Sequence, residues 1–308
     1  MALLDPDATH RQLALIEGAD GIGIGDLPTL IAAASDVDPT VRRLAVGLLE
    51  ELGDVRALPA IVAALADSDP GVREAAQSAV REFRGEGVLE SLVGAMSSAS
   101  PEVREWAVIG LRELRDARAA GPLLSALTDA VPAVRRAAVV SLAYLRDAES
   151  APALVGRLED DDAGVRRLAI AALARTSNPE ATTSRIVQRL SDESWQVRAE
   201  AAAALSTSSL APGAVTALVR ALTDDHWQVV KAAVVALEAL GAQASAPHLL
   251  PLLTNPASDV RRAAAEALGS FGSEAARAGL AKLAADGDVE VRKAASRALE
   301  RLTRRPPS

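Results

Sequence analysis

A valine recurs along the chain at intervals of 31 or 32 residues, and the apolar positions after it keep a fixed spacing. The nine valines are Val41, Val72, Val103, Val134, Val165, Val197, Val229, Val260 and Val291. In most repeats, apolar side chains stand 0, 4, 7, 8 and 11 positions after the valine, with polar residues between them. This spacing covers one face of a helix, so each valine is predicted to lie near the start of an amphipathic helix.

A shorter apolar stripe precedes each of these helices. In the second repeat it is formed by Leu58, Ile61, Val62 and Leu65. Prolines stand near the predicted start of this stripe in several repeats, where a helix tolerates them; they are Pro59, Pro122, Pro152 and Pro247. Each repeat is therefore predicted to consist of a first helix, a turn, a second helix and a loop.

Nine such repeats predict one all-α domain of stacked helical hairpins, an α-solenoid, over residues 1–308. The repeats occupy 27–302. Residues 1–26 are expected to form a capping helix, about Asp7 to Glu17, and a glycine-rich link. The basic stretch 303–308 is expected to be a tail.

An acidic or small polar residue stands five positions before each valine, and an arginine follows the valine in most repeats. The first column reads Asp36, Asp67, Ser98, Asp129, Asp160, Asp192, Asp224, Asn255 and Asp286. We expect these aspartates to end the first helix and either to cap the second helix or to pair with the arginines in a ladder. The ladder should be weakest at Ser98, at Asn255, and at Val230, which replaces the arginine of the seventh repeat.

The overall charge and the absence of cysteine narrow the possible functions. The chain carries 33 basic and 41 acidic residues, a net charge of −8, which argues against nucleic-acid binding. Without cysteine it has no disulfide, thiolate nucleophile or cysteine-ligated zinc. No apolar run reaches the 18 or more residues of a membrane helix, and the N-terminal stretch is too acidic for a signal peptide. We expect a cytoplasmic, monomeric protein without contact to a membrane.

The repeat lines resemble a known family. Segments such as RALPAIVAALADSDPGVREAAQSAVREF and RAAGPLLSALTDAVPAVRRAAVVSLAYLRD resemble the HEAT-repeat superfamily, specifically the short HEAT-like repeats of the phycobilisome bilin-lyase type. The resemblance implies a right-handed superhelix whose second helices line a concave face. It also implies that positions 2, 3, 6 and 10 after the valine face a partner. Tetratricopeptide and ankyrin repeats do not fit, since their signature residues are missing.

The resemblance includes an iron enzyme, deoxyhypusine hydroxylase, whose ligands are His-Glu pairs in this part of the repeat. No such pair occurs here, and the chain has only His10, His226 and His248. We therefore expect no metal site and no cofactor.

Four of the six aromatic residues lie outside the predicted core columns. Trp106 and Tyr144 stand 3 and 10 positions after their valines, and Trp195 and Trp227 stand two positions before theirs. Exposed large rings on a helical scaffold are typical of contact surfaces. The alternative, weighed equally for Trp195 and Trp227, is that each ring packs over its turn or against the next repeat.

Charge on the partner-facing columns changes along the chain. The first three repeats are mainly acidic and include Glu105 and Glu113, whereas repeats 4 and 5 present Arg136, Arg167 and Arg175. Repeat 7 adds Lys231. Such a gradient would orient a partner with charge at both ends. The alternative is that these side chains are solvated and pair with their neighbours.

Two classes of function remain. The first is a non-catalytic scaffold that binds a protein or peptide, with a small-molecule ligand also allowed, through Trp106, Tyr144, Trp195, Trp227 and the charged columns. The alternative is a HEAT-like enzyme or accessory, either a bilin-lyase-like lyase or cyclase acting on a small molecule or a DNA-glycosylase-like protein. It would use Trp106, Glu105, Glu113 and Tyr144.

Overall fold

The computed structural model describes residues 5–83, 87–145, 150–175, 179–206 and 213–304, and of 179–181 only the backbone. Every regular element in these residues is a helix, as predicted. Two compact units are formed by Met1–Ser150 and Ala151–Ser308. The first four residues and residues 305–308 of the predicted tail lie outside the described part. None of the described helices is both long and apolar enough to cross a membrane.

Unit 1 (Met1–Ser150) contains an N-terminal helix and four helical hairpins. Its helices are α1 (Ala8–Gly18), α2 (Leu27–Ala33), α3 (Pro39–Leu52), α4 (Leu58–Ala64), α5 (Pro70–Glu82), α6 (Val88–Ala95), α7 (Pro101–Leu114), α8 (Ala120–Ala126) and α9 (Pro132–Leu145). The even-numbered helices are the first helices of repeats 1 to 4. Those numbered α3, α5, α7 and α9 are the second helices.

Unit 2 (Ala151–Ser308) contains five further hairpins. Its helices are α10 (Ala151–Gly156), α11 (Ala163–Leu173), α12 (Pro179–Gln188), α13 (Trp195–Leu205), α14 (Ala214–Ala221), α15 (Trp227–Ala239), α16 (Ala246–Leu249), α17 (Ser258–Phe271), α18 (Arg277–Lys282) and α19 (Val289–Arg304). Here the odd-numbered helices from α11 to α19 are the second helices. Several first helices end in a short 3-10 turn, such as Arg189–Ser191.

The start and end of α3 show why the second helices form where they do. Asp38 adopts an extended conformation, and its carboxylate accepts hydrogen bonds from the backbone N–H groups of Thr40 and Val41, both at 3.0 Å. This satisfies two of the donors that a helix start leaves free, and Pro39 suits the first helical position. The helix ends at Gly53, whose φ of 64° is left-handed.

The predicted apolar stripes form the core. All nine anchor valines are buried, the most exposed being Val103 at 6%. Within each unit, a second helix packs on the next second helix, as α3 does on α5 and α17 on α19, and on the first helix of its own repeat. The core therefore lies between a layer of first helices and a layer of second helices.

The arginine ladder joins consecutive repeats. The Nε and Nη2 groups of Arg42 donate to the two carboxylate oxygens of Asp67 in the next repeat, each at 2.7 Å. Its Nη1 donates to the backbone carbonyls of Asp36 and Val37 in its own repeat. Arg11 on α1 binds Asp36 in the same way, so the N-terminal helix carries the same device.

The ladder aspartates do not cap the second helices, so the prediction of a capping role for them is wrong. The carboxylate of Asp36 accepts from the N–H of Asp38, and Asp38 is the residue that caps α3. An aspartate five positions before the valine stands too far from the helix start to reach its free N–H groups. At the starts of α3, α5, α7 and α11, the residue three positions before the valine takes that role.

Candidate functional site

Two successive arginine–aromatic contacts lie on the second helices of unit 1. The guanidinium carbon of Arg81 on α5 is 5.8 Å from the ring centroid of Trp106 on α7. One repeat later, the guanidinium carbons of Arg112 and Arg115 lie 6.0 and 5.6 Å from the ring centroid of Tyr144 on α9. These distances fit cation–π contacts. We call these five residues the aromatic strip.

The rings of the aromatic strip remain partly accessible. Tyr144 is 47% exposed, and Trp106 is half-buried. The guanidinium groups of Arg112 and Arg115 both lie over the Tyr144 ring. The strip thus combines accessible aromatic surface with guanidinium groups placed over the rings.

Arg115 adopts a backbone conformation that arginine rarely takes. It follows α7 with φ 53° and ψ 30°, and its N–H donates to the carbonyl of Arg112. The corresponding residues after α3 and α17 are Gly53 and Gly272, also left-handed. A side chain in this region costs about 1–2 kcal/mol, so the fold carries strain beside Tyr144.

The two predicted acidic residues of repeat 3 have different surroundings. Glu113 accepts hydrogen bonds from Nε and Nη2 of Arg112, at 3.1 and 2.8 Å. Glu105 is half-buried and precedes Trp106 on α7. The carboxylate of Glu113 is thus bound to an arginine of the aromatic strip.

Acidic side chains gather in repeats 1 and 2. Burial raises the pKa of Glu50, and the nearby carboxylates of Glu82 and Glu51 raise it further. These three residues form what we call the acidic cluster, on the last turns of α3 and α5. Part of the predicted acidity of the N-terminal repeats lies in this cluster, whereas the aromatic strip contains three arginines.

The predicted basic residues fall on both units. Arg136 is half-buried on α9 in unit 1. In unit 2, Arg167 is exposed on α11 with its Nη1 3.6 Å from a carboxylate oxygen of Glu200, and Arg175 is exposed just beyond that helix. Pairing between neighbours therefore accounts for part of this charge, as the alternative interpretation expected.

The two tryptophans of unit 2 each contact a side chain near the next second helix or on their own helix: His226 for Trp195 and Lys231 for Trp227. Trp195, the first residue of α13, stacks on the ring of His226, with centroids 5.5 Å apart and planes inclined by 12°. The stacking covers part of Trp195 and supports the alternative that this ring packs against the next repeat.

Trp227 begins α15, is 41% exposed, and has the Nζ of Lys231 5.7 Å from its ring centroid. Lys231 donates to Asp259 at 2.9 Å. Hydrogen bonds from Lys231 and then Arg262 lower the pKa of Asp259. We call these four residues the Trp227 cluster.

Sequence reasoning missed the cations that hold the rings. Arg81 and Arg112 stand nine positions after their valines, a column that was not assigned to the partner-facing surface. Arg115 and His226 were also missed. The sequence did contain a signal for Arg115: residues 114–116 read Leu-Arg-Asp, where the first repeat has Leu-Gly-Asp from Leu52 onward.

The described residues contain no group of three or more histidine, cysteine, aspartate or glutamate side chains that could hold a metal ion. The candidate surfaces consist of aromatic rings, guanidinium and ammonium groups, and carboxylates.

Comparisons with known proteins identify the family. A family model for HEAT repeats matches residues 27–112, 89–174, 157–238, 183–268 and 246–306. No curated protein sequence matches the chain. Among solved structures, the crystal structure of an engineered protein from the Northeast Structural Genomics Consortium matches with a TM-score of 0.55 and 23% identity, covering 98% of this chain and 97% of that one. This likeness bears on the fold alone and agrees with the predicted all-α solenoid. Because the family model covers nearly all of the repeats, the chain belongs to the HEAT-repeat family.

Proposed function

We propose that this protein is a non-catalytic scaffold that binds a protein or peptide partner through the second helices of unit 1. The observation that carries the proposal is the aromatic strip, in which arginines orient Trp106 and the exposed ring of Tyr144. Tryptophan, tyrosine and arginine are the residue types that dominate binding energy at protein interfaces.

Preorganisation supports this role. Arg112 is bound to Glu113 and lies over Tyr144, while Arg115 is placed by a fixed left-handed backbone. Side chains already ordered before binding lose little conformational freedom when a partner arrives. The strip is therefore suited to bind without rearrangement.

The acidic cluster supports a statement about the partner's charge. Glu50 has a raised pKa beside Glu51 and Glu82, so these carboxylates repel one another when ionised. A basic side chain from a partner would relieve that repulsion and would be attracted by the net charge of −8. We expect a partner segment that carries lysine or arginine opposite the acidic cluster and apolar or aromatic groups opposite the aromatic strip.

The test uses a double variant, Trp106→Ala with Tyr144→Ala. Val235→Ala is the control, since Val235 is an exposed apolar residue on a second helix of unit 2. Each tagged protein is incubated with lysate of the source cells, and captured proteins are quantified. The partner is then purified, and its dissociation constant is measured for all three proteins.

We expect the double variant to bind about 30-fold more weakly, as for loss of about 2 kcal/mol at an interface hot spot, and the control to bind like wild type. A partner that binds the double variant with wild-type affinity would overturn the role of the strip. The role of the strip would also be overturned if wild type captured no protein more strongly than the double variant does.

The enzymatic alternative receives no supporting contact from the described residues. Glu113, one of the two acids of that alternative, is bound by Arg112. We also keep as part of the proposal that the repeats are of the short phycobilisome-lyase type, which their spacing of 31 or 32 residues supports. Trp195, Trp227 and Lys231 remain predicted contact residues of unit 2, and the cytoplasmic, monomeric state remains a prediction.

A further inference from the structure

Six rungs of the arginine ladder share one geometry. In each, Nε and Nη2 of the arginine donate to the two carboxylate oxygens of the aspartate in the next repeat, at 2.6–2.9 Å. The pairs are Arg11–Asp36, Arg42–Asp67, Arg104–Asp129, Arg166–Asp192, Arg198–Asp224 and Arg261–Asp286. The planar guanidinium matches a carboxylate in this bidentate arrangement.

Arg73 is oriented like these arginines but has no carboxylate opposite it. Its Nη1 donates to the carbonyls of Asp67 and Ser68 at 2.7 and 2.9 Å, as in the complete rungs. The residue at the aspartate position, 25 further along, is Ser98. Within the described residues, Nε and Nη2 of Arg73 therefore have no acceptor.

The other altered rung shows a different replacement. In repeat 7 the arginine is replaced by Val230, which is 3% exposed, and the aspartate of repeat 8 is replaced by Asn255, whose side chain accepts from the N–H of Ala257. There both charges are absent together. In repeat 3 only the acid is absent, so the guanidinium of Arg73 is retained without its partner.

A groove is lined in part by the residue that stands at the position of the absent carboxylate. It lies between α4 and α6, has a volume of about 600 Å³, and is lined by Val62, Ala63, Ala95 and Val103, with Ser98 at the ladder. The equivalent groove one repeat later, between α6 and α8, has a volume of about 400 Å³ and is lined by both members of the rung, Arg104 and Asp129. Ser98 lines the groove beside Val103, and Arg73, held by the carbonyls of Asp67 and Ser68 as the paired arginines are held by theirs, directs its free side toward position 98.

We propose that Arg73 and the groove between α4 and α6 bind a small organic carboxylate with an apolar tail. The carboxylate occupies the position of the ladder aspartate and accepts from Nε and Nη2 of Arg73. The tail lies between the apolar residues of α4 and α6, in a space within the range of small-ligand pockets. The groove lies between the first helices α4 and α6, Arg73 is on α5, and the site shares no residue with the aromatic strip or the acidic cluster.

Octanoate is the probe, and its binding to the purified full-length protein is measured by isothermal titration calorimetry. We expect one octanoate to bind per chain. Acetate lacks the apolar tail and 1-octanol lacks the charge-assisted hydrogen bonds, so each should bind at least about tenfold more weakly. Equal binding of octanol and octanoate would overturn the role of Arg73.

Ser98→Asp is the decisive variant because it supplies the absent carboxylate from the chain itself. We expect it to raise the melting temperature by about 2–4 °C and to abolish octanoate binding. Arg73→Gln should also abolish binding. Arg292→Gln is the matched control, since Arg292 likewise donates only to two carbonyls, of Asp286 and Gly287; it should leave binding unchanged.

Two results would contradict the proposal. If Ser98→Asp does not raise the melting temperature, the guanidinium of Arg73 does not reach position 98. If Ser98→Asp is stabilised but binds octanoate like wild type, the ligand lies elsewhere. Both conclusions depend on Ser98→Asp alone, so they stand even if Arg73→Gln does not fold.

Discussion

Arg115 combines an unfavourable backbone conformation with a side chain placed beside an exposed ring. Its φ of 53° lies in the left-handed region, and its guanidinium carbon is 5.6 Å from the ring centroid of Tyr144. Strain of this kind persists only where the surrounding structure holds it in place, and it is frequent at functional sites. At the scale of one residue, stability and the proposed contact surface are therefore opposed.

Arg115→Gly should raise the free energy of unfolding by about 0.5 kcal/mol, since relief of the left-handed strain exceeds the extra entropy of an unfolded glycine. Urea unfolding measures the change. Gly53→Arg is the reverse control, because Gly53 has φ 64° and only Glu50 O near its Cβ position, at 4.0 Å; it should lower stability by about 0.5–1 kcal/mol. Destabilisation by Arg115→Gly would show that the contact with Tyr144 dominates.

Arg166 allows a buried and an exposed acid to be compared on one guanidinium. It binds Asp192, whose side chain is 3% exposed, and Glu193, whose side chain is 84% exposed. Asp192→Asn should lower the free energy of unfolding by about 1–3 kcal/mol, because it removes the carboxylate that is buried together with the guanidinium. Glu193→Gln, the matched control, should change it by less than about 1 kcal/mol. Urea unfolding of both variants tests this; equal effects would remove the ladder's structural role.

At the scale of the helices, the distance between α17 and α19 depends on one glycine that lies between them. A Cβ on Gly269 of α17 would come within 2.6 Å of the Cβ and 2.7 Å of the Cα of Ala298 on α19. These two helices therefore approach closely enough to require glycine at that position. Gly47 on α3 has no atom within 4 Å of its Cβ position, so glycine there is not required by packing.

Gly269→Ala should lower the free energy of unfolding by about 1–3 kcal/mol, because α17 and α19 must separate to admit the methyl group. Gly47→Ala places the same methyl group on a helix with space for it and should raise stability by about 0.5–1 kcal/mol. Thermal and urea unfolding of both variants give the comparison. Opposite signs are expected, and a loss at both positions would contradict the packing argument.

For the whole molecule, the ladder couples stability to pH. The pKa of Asp36, Asp67, Asp129 and Asp286 is lowered from the usual 3.8 mainly by hydrogen bonds from the paired arginines. For Asp192 and Asp224, burial is the largest influence and raises the pKa, but the arginine hydrogen bonds, a backbone N–H and nearby cations together outweigh it. A carboxyl with a lowered pKa in the folded state stabilises the fold above its unfolded pKa, and this contribution is lost as the pH falls.

The melting temperature should therefore fall steeply as the pH is lowered below about 4, where the unfolded carboxyls take up protons before the folded ones. Thermal unfolding at a series of pH values measures this. Asp192→Asn should show a shallower fall than Glu193→Gln over the same range. Parallel curves for the two variants would mean that the rung contributes nothing to the acid response.

Glu50 should show the opposite sign. Its pKa is raised from the usual 4.5, so the folded state disfavours the charged carboxylate. Protonation of Glu50 therefore stabilises the fold as the pH falls toward the raised pKa. Glu50→Gln should have a higher melting temperature than wild type at pH 7, and the difference should shrink at acid pH. A lower melting temperature for the variant at pH 7 would contradict the repulsion within the acidic cluster.

The sequence by itself determined the repeat, the helices and the core. The period of the valines, the spacing of the apolar stripe and the polar residues at the turns are local features, because an amphipathic helix is specified by residues three and four apart. The buried valines and the positions of α2 to α19 agree with them. The exposed Tyr144 and Trp227 were also found this way, since large rings outside the stripe cannot reach the core.

Only the tertiary structure decided which side chains meet across repeats. It paired Arg42 with Asp67, placed Arg81 and Arg112 at the rings, stacked His226 on Trp195, and left Arg73 facing a serine position. These contacts join residues about 25 to 32 positions apart, and they depend on how far one helix is shifted and rotated against the next. Such a register is set by the packing of whole faces, so no local pattern in the sequence specifies it.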